Sequence, residues 1–180
     1  IPEFLEDIIK KNLNCIHYIK TPNDQLPLFN GATSFNFKPI EKYLEDFKPS
    51  IKNISIGDLL KIKHKNHFLI IDVGKPPQKR FSKSYQSGPL SFEYFLDGIK
   101  IITNSGFGHK ISKKAELLSR LTASQSTLTI NDTSITKFEK NERIIKIFGN
   151  SIQESFKSFD VFQKNEGNFI RCSATNDGYE

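Results

Sequence analysis

Apolar residues recur at two different periods along this chain, and the period changes near residue 50. From Pro2 to about Ile19, the residues Phe4, Leu5, Ile8, Ile9, Leu13 and Ile16 fall three or four apart. That spacing predicts one amphipathic helix, with Pro2 suited to its first turn. Thr21-Pro22-Asn23-Asp24 ends it. Leu26 to Gly31 reads as a packed loop, and Ile40 to Phe47 carries a second, shorter helical pattern.

After Pro49 the pattern becomes that of strands. Leu59 to Lys63 and His67 to Val73 flank Lys65-Asn66, a plausible hairpin turn. Gly74 to Gly88 is rich in Pro, Lys and Ser and reads as a long exposed loop. Leu90, Phe92, Tyr94 and Leu96 then alternate with Ser91, Glu93 and Phe95. They lead into Asp97-Gly98, a strong hairpin signal, and the chain returns as Ile99 to Asn104. Further strands are expected at Ser126 to Ile130, Ile135 to Glu139, Ile144 to Phe148 and Phe169 to Ala174. Short strands separated by turn signals indicate a mainly β protein, an antiparallel β-sandwich preceded by a short helical segment.

Composition narrows the function classes. Hydrophobic residues make up 37% of the 180 and charged residues 26%, enough to bury a core. The longest apolar runs fall far short of the roughly 18 residues of a membrane helix, so no membrane span is expected. Net charge is +6, which invites an anionic partner. The charge comes from 22 lysines and only 4 arginines, scattered singly or in pairs. Arginine is the better reader of phosphates and base edges, so no nucleic-acid partner is expected. Cys15 and Cys172 have no CxxC spacing and read as free thiols. The chain lacks methionine and begins like the interior of a longer protein.

Generic catalytic motifs are absent: no GxGxxG, Walker loop, GxSxG or HExxH. The informative stretch is 84–131. It holds Ser84-Tyr85-Gln86-Ser87-Gly88-Pro89, LSFE (Leu90 to Glu93), a hairpin, IITNSGFG (Ile101 to Gly108) and RLTASQSTLTIND (Arg120 to Asp132). In this order, with LPLFNGA (Leu26 to Ala32) and LIIDVGKPP (Leu69 to Pro77) upstream, it resembles the C-terminal β-sandwich of the heparinase II/III-like proteins. The resemblance implies that residues 1–50 are the end of an α/α toroid domain with its linker. Residues 51–180 would then be the first part of the sandwich. It further implies a polysaccharide lyase cutting uronic-acid chains by β-elimination, an acidic polysaccharide as partner, and a bacterial periplasm or cell envelope as location.

The departures from the family pattern are specific. Members with bound zinc take ligands from a histidine before LSFE, an aspartate of the turn and a histidine of the Arg-x-Thr segment. Here those positions hold Gln86, Asn104 and Gln125. Neutral amides offer zinc no imidazole, thiolate or carboxylate, so zinc is not expected. A catalytic histidine of the family aligns with Ser84, and Asn176 stands where a His-Asp-Gly-Tyr segment has its histidine. Two readings stay open. Gln86, Asn104, Gln125 and Asn176, with Arg120, line a metal-free sugar site, with Tyr85 the nearest candidate base; or the amides satisfy one another inside the sandwich. On the second reading the protein is a non-catalytic carbohydrate-binding or scaffolding sandwich. Arg120 can pair with a carboxylate of protein or substrate. Glu93 reads equally as a buried partner of a nearby lysine or arginine.

Overall fold

A computed structural model describes residues 2–35, 37, 39, 58–157, 159–166 and 169–179. The helical pattern at Ile40 to Phe47 lies outside them. The N-terminal helix is α1, Glu3–Ile19, opening directly after Pro2. Its first turns stand away from the body, with Phe4 63% exposed. Its last turn is tied to the sheet: Tyr18 OH donates to the Leu59 carbonyl at 3.3 Å, and Lys61 Nζ donates to the Tyr18 carbonyl at 2.7 Å.

The sheet follows the expected hairpins closely. Strands β1 (Leu59–His64), β2 (His67–Asp72), β3 (Phe92–Leu96) and β4 (Ile99–Ile102) form an antiparallel sheet in chain order. Lys65 turns β1 into β2 at φ 51°; Asp97 and Gly98, at φ 51° and 78°, turn β3 into β4. Two positive φ values in succession fit the right-handed strand twist, which is why Asp-Gly marks such turns. One face of the sheet carries the apolar core, Phe68, Ile70 and Phe95, covered by Phe29 from the packed loop and flanked by Leu59. Phe68 and Phe95 meet edge to face at 5.5 Å.

The alternation in β3 points the other way from its hydrophobicity. Ser91, Glu93 and Phe95 are buried, whereas Phe92, Tyr94 and Leu96 are half-exposed. Glu93 tolerates this because Lys100 reaches its Oε2 at 3.1 Å, while Thr103 Oγ1 and Leu28 N donate to Oε1. Removing that charge from water is offset by paired, hydrogen-bonded partners.

Outside this sheet the expectations fail in four places. The loop expected to be exposed over Gly74 to Gly88 is exposed at Lys75, Gln78 to Phe81 and Lys83; Gly74, Ser82 and Tyr85 to Gly88 are buried. Ser126 to Ile130 forms no strand, because Ser126 bonds sideways to Asn104 and the chain then turns at Asn131-Asp132, both near φ 52°. Ile135 to Glu139 shrinks to β5, Lys137–Phe138. Ile144 to Phe148 lies in a helix, Glu142–Phe148, because Asn141 accepts from Arg143 N at its start and Gly149, at φ 74°, ends it. Those are helix-capping signals that outweigh a β-branched run.

A short helix, α2 (Lys113–Leu118), capped by Ser112, precedes that helix, which is therefore α3. Strand β6 (Ile152–Glu154) pairs with β5, and a long hairpin joins β7 (Phe159–Glu166) to β8 (Phe169–Asn176). The protein is mainly β, with antiparallel sheets behind an N-terminal helix.

Candidate functional site

The buried chain between β2 and β5 is held by polar groups rather than by apolar ones. Arg120, fully buried, is its centre. Its Nε donates to the Tyr85 carbonyl at 2.9 Å, one terminal nitrogen to the Ser82 carbonyl at 2.8 Å, and the other to the Asn150 carbonyl. The guanidinium lies 3.9 Å from the Phe138 ring centroid. No carboxylate pairs with it among the described residues, and burial lowers its pKa to about 10 despite the nearby charge of Glu116. Arg120 is therefore a brace between three loop carbonyls, to which three of its five N–H donors are committed.

Gln86 and Gln125 stand beside it. Gln86, 1% exposed, accepts from Gly31 N at 3.0 Å and donates to the carbonyls of Gly106 (3.1 Å) and Ser119 (2.9 Å). Gln125, 9% exposed, donates to the same Ser119 carbonyl at 2.7 Å. The two amides thus meet at one backbone oxygen, whose two lone pairs can take both. Gly31 reaches Gln86 only because it has no side chain: a Cβ there would stand 2.6 Å from Ser84 Cβ, at a φ of 93°.

Asn104, 2% exposed, is turned toward the residue after Gln125. Its Oδ1 accepts from Ser126 N at 2.9 Å and lies 3.0 Å from Ser126 Oγ, which fixes which end of the amide is oxygen. Its Nδ2 is buried without a partner among the described residues. No hydrogen bond joins Asn104 to either glutamine there. Asn176 lies apart: its Oδ1 accepts from Gly178 N at 2.9 Å, closing the last turn. With Tyr179 it lines a separate cavity of about 380 Å³ against Pro89, Leu90 and Thr127.

Tyr85 is 4% exposed. Burial, reinforced by the charge of Asp72, pushes its phenol above the ordinary range, although a hydrogen bond with Thr136 opposes this. A base must lose its proton readily and reach substrate, and this phenol is placed for neither.

The donor set does not fit zinc. The oxygens of Gln86 and Asn104 accept backbone N–H groups, and the nitrogens of both glutamines face a carbonyl. The unpartnered atom at Asn104 is a donor, which a cation would repel. Among the described residues no three of His, Cys, Asp and Glu come together as a metal-holding group.

Sequence reading missed what the amides bind. Ser119, Ser126, Ser87 and Thr122 carry the network, with Ser87 Oγ and Thr122 Oγ1 at 2.8 Å. The signal was the density of hydroxyl residues in 119–127, a stretch read as part of a family motif running into a strand at Ser126.

The comparisons agree with this architecture. The family model "Heparinase II/III-like, C-terminal" matches residues 51–180, and the chain belongs to that family. Among solved structures, "Crystal Structure of Heparinase III" is similar over 98% of this chain and 33% of its own, at 15% identity and a TM-score of 0.56. A heparan sulfate lyase HepC mutant from Pedobacter heparinus matches 98% of this chain and 31% of its own, at 15% identity and a TM-score of 0.58. At these identities the likeness establishes the fold. The chain spans about a third of the length of either structure. No curated protein sequence matches it.

Proposed function

We propose that this chain is part of a heparinase II/III-like polysaccharide lyase acting by β-elimination on uronate-containing chains, in a bacterial cell envelope. Residues 1–50 are read as the end of a toroid and 51–180 as the first part of the sandwich. The family's zinc position is read as a metal-free structural hub. One observation carries this last point: Gln86 and Gln125 spend their amide donors on the single Ser119 carbonyl.

β-Elimination needs a group to neutralise the uronate carboxylate, a base for the C5 proton and an acid for the departing oxygen. Arg120, Gln86 and Gln125 are bound to backbone, and Tyr85 is sealed. On this reading these side chains hold the β-region in shape, and the base and acid come from outside the chain. The same closed arrangement favours a second reading, a sandwich that binds acidic glycan without cutting it.

The test is ultraviolet absorbance from unsaturated uronate when the polypeptide containing these residues is incubated with a panel of acidic glycans. Product formed equally with and without chelator supports a metal-free lyase. Glycan retention without product supports the second reading. Stoichiometric zinc after dialysis, lost in Gln86→Ala or Gln125→Ala, overturns the hub.

A further inference from the structure

At the far end of the sheet from the amide hub lies an open groove of about 510 Å³, between the last turn of α1 and the β1–β2 and β3–β4 turns. The two places are separated by the length of β2, from His67 to Asp72, roughly 17 Å at about 3.3 Å per residue. Lys20, Lys61, Lys63 and Lys65 line the groove, with His17 and His67, against two carboxylates, Asp24 and Asp97.

The arrangement follows from register. Lys61 and Lys63 are two apart in β1 and share a face with Ile70 and Phe68, their partners in β2, so both project on the side where α1 ends. Lys65 continues the row into the turn. The carboxylates are already used: Asp24 pairs with Lys20 at 2.7 Å, and Asp97 accepts from Asn66 Nδ2 at 2.9 Å. Lys63 and Lys65 have no acidic partner among the described residues. His17 Nε2 is buried there with no hydrogen-bond partner.

We infer that this groove is an accessory subsite for an anionic saccharide unit bearing sulfate or carboxylate, held by Lys63 and Lys65 with His17 as a hydrogen-bonding contact through its Nε2. The saccharide class rests on the function proposed above; the anion class rests on the groove itself. Nucleic acid fits it poorly. Base recognition uses free aromatic faces, and of the rings lining the groove Phe68 is buried with the Lys61 ammonium 5.4 Å from its centroid, while His67 stacks on Tyr94. Bidentate arginine forks are missing from the lining.

The experiment measures binding to the full chain by calorimetry at low salt. The probes are a sulfated uronate-containing hexasaccharide, its desulfated form, its desulfated carboxyl-reduced form and a DNA duplex of matched charge. Lys63→Gln/Lys65→Gln changes two exposed side chains, and Lys113→Gln/Lys114→Gln on α2 removes the same charge elsewhere. The expected result is a loss of at least tenfold in affinity for the charged saccharides in the first variant, a shallower salt dependence, and little change in the second. The sulfated and desulfated arms tell sulfate from carboxylate recognition; the neutral saccharide should not bind. Equal losses in both variants, no loss in the first, or DNA bound as tightly with the same lysine dependence would each overturn the subsite. Because the readout is binding, a chain without lyase activity can still pass, and a chain with it can still fail.

Discussion

The two ends of the β2–β3 region solve the same packing problem with opposite chemistry. Around Phe68, Ile70 and Phe95 the space is filled by rings and aliphatics, which gain from leaving water and demand no particular partner. Around Arg120, Gln86 and Gln125 it is filled by hydrogen-bond donors that reach across to loop carbonyls. The first kind of core tolerates approximate replacement and resists loss of volume. The second tolerates loss of a donor less than loss of volume, because each stranded carbonyl carries its own desolvation cost.

That contrast can be broken most directly at its two centres. Arg120→Ala strands three carbonyls and opens a cavity, and should cost about 5 kcal/mol, enough to abolish cooperative unfolding. Phe95→Ala should cost about 3–5 kcal/mol. Arg120→Met, which restores much of the volume without donors, is the sharper comparison. If denaturant melts show it as stable as wild type, hydrogen bonding is not what holds this end.

Asp72 joins the two regions, and its effect depends on pH. Burial raises its carboxyl to about 6, with Asp58 adding to the rise, while bonds from Gly74 N and Asn30 Nδ2 pull the other way. A carboxyl raised on folding contributes stability while protonated. The contribution is complete below the unfolded value near 3.8 and is lost as pH rises through about 6. The shift corresponds to about 3 kcal/mol. Asp72→Asn should therefore leave stability at pH 4 little changed and raise it at pH 7, with Asn30 turning its amide to serve the new side chain. A wild type and variant with parallel pH profiles would remove Asp72 from the account.

Gln86→Ala should cost about 2 kcal/mol, since Gly31 N and the Gly106 carbonyl lose their partner. The smallest effect is expected at the exposed Lys137–Glu154 pair, 2.7 Å apart. Lys137→Ala should not move the melting temperature measurably, because solvent screens such pairs.

The apolar end was legible in the sequence and the polar end was not, for a physical reason. Lys65-Asn66 and Asp97-Gly98 are local turn signals, and Phe68, Ile70 and Phe95 announce burial by their chemistry. Ser82, Ser87, Ser119 and Thr122 are just as buried, yet a hydroxyl's burial depends on distant partners, as when Gly108 N donates to Ser119 Oγ and Ile152 N to Ser82 Oγ. Local pattern cannot carry that. The strand expected at Ile144 to Phe148 failed differently: Asn141 and Gly149 stood in plain view as caps, and three isoleucines drew attention from them. At the site, the amide substitutions were visible at Gln86, Asn104 and Gln125, but their common destination at a serine carbonyl was not.

The shared carbonyl of Ser119 also constrains the order in which this sequence can change. Either glutamine alone leaves that oxygen with one donor, so a first substitution at 86 or 125 is partly insured by the other. A second one removes the insurance, and the penalties do not add. The double variant Gln86→Ala/Gln125→Ala should therefore lose more stability than the two single losses summed. An aspartate at 104 would in turn put a charge where a buried N–H now has no partner among the described residues.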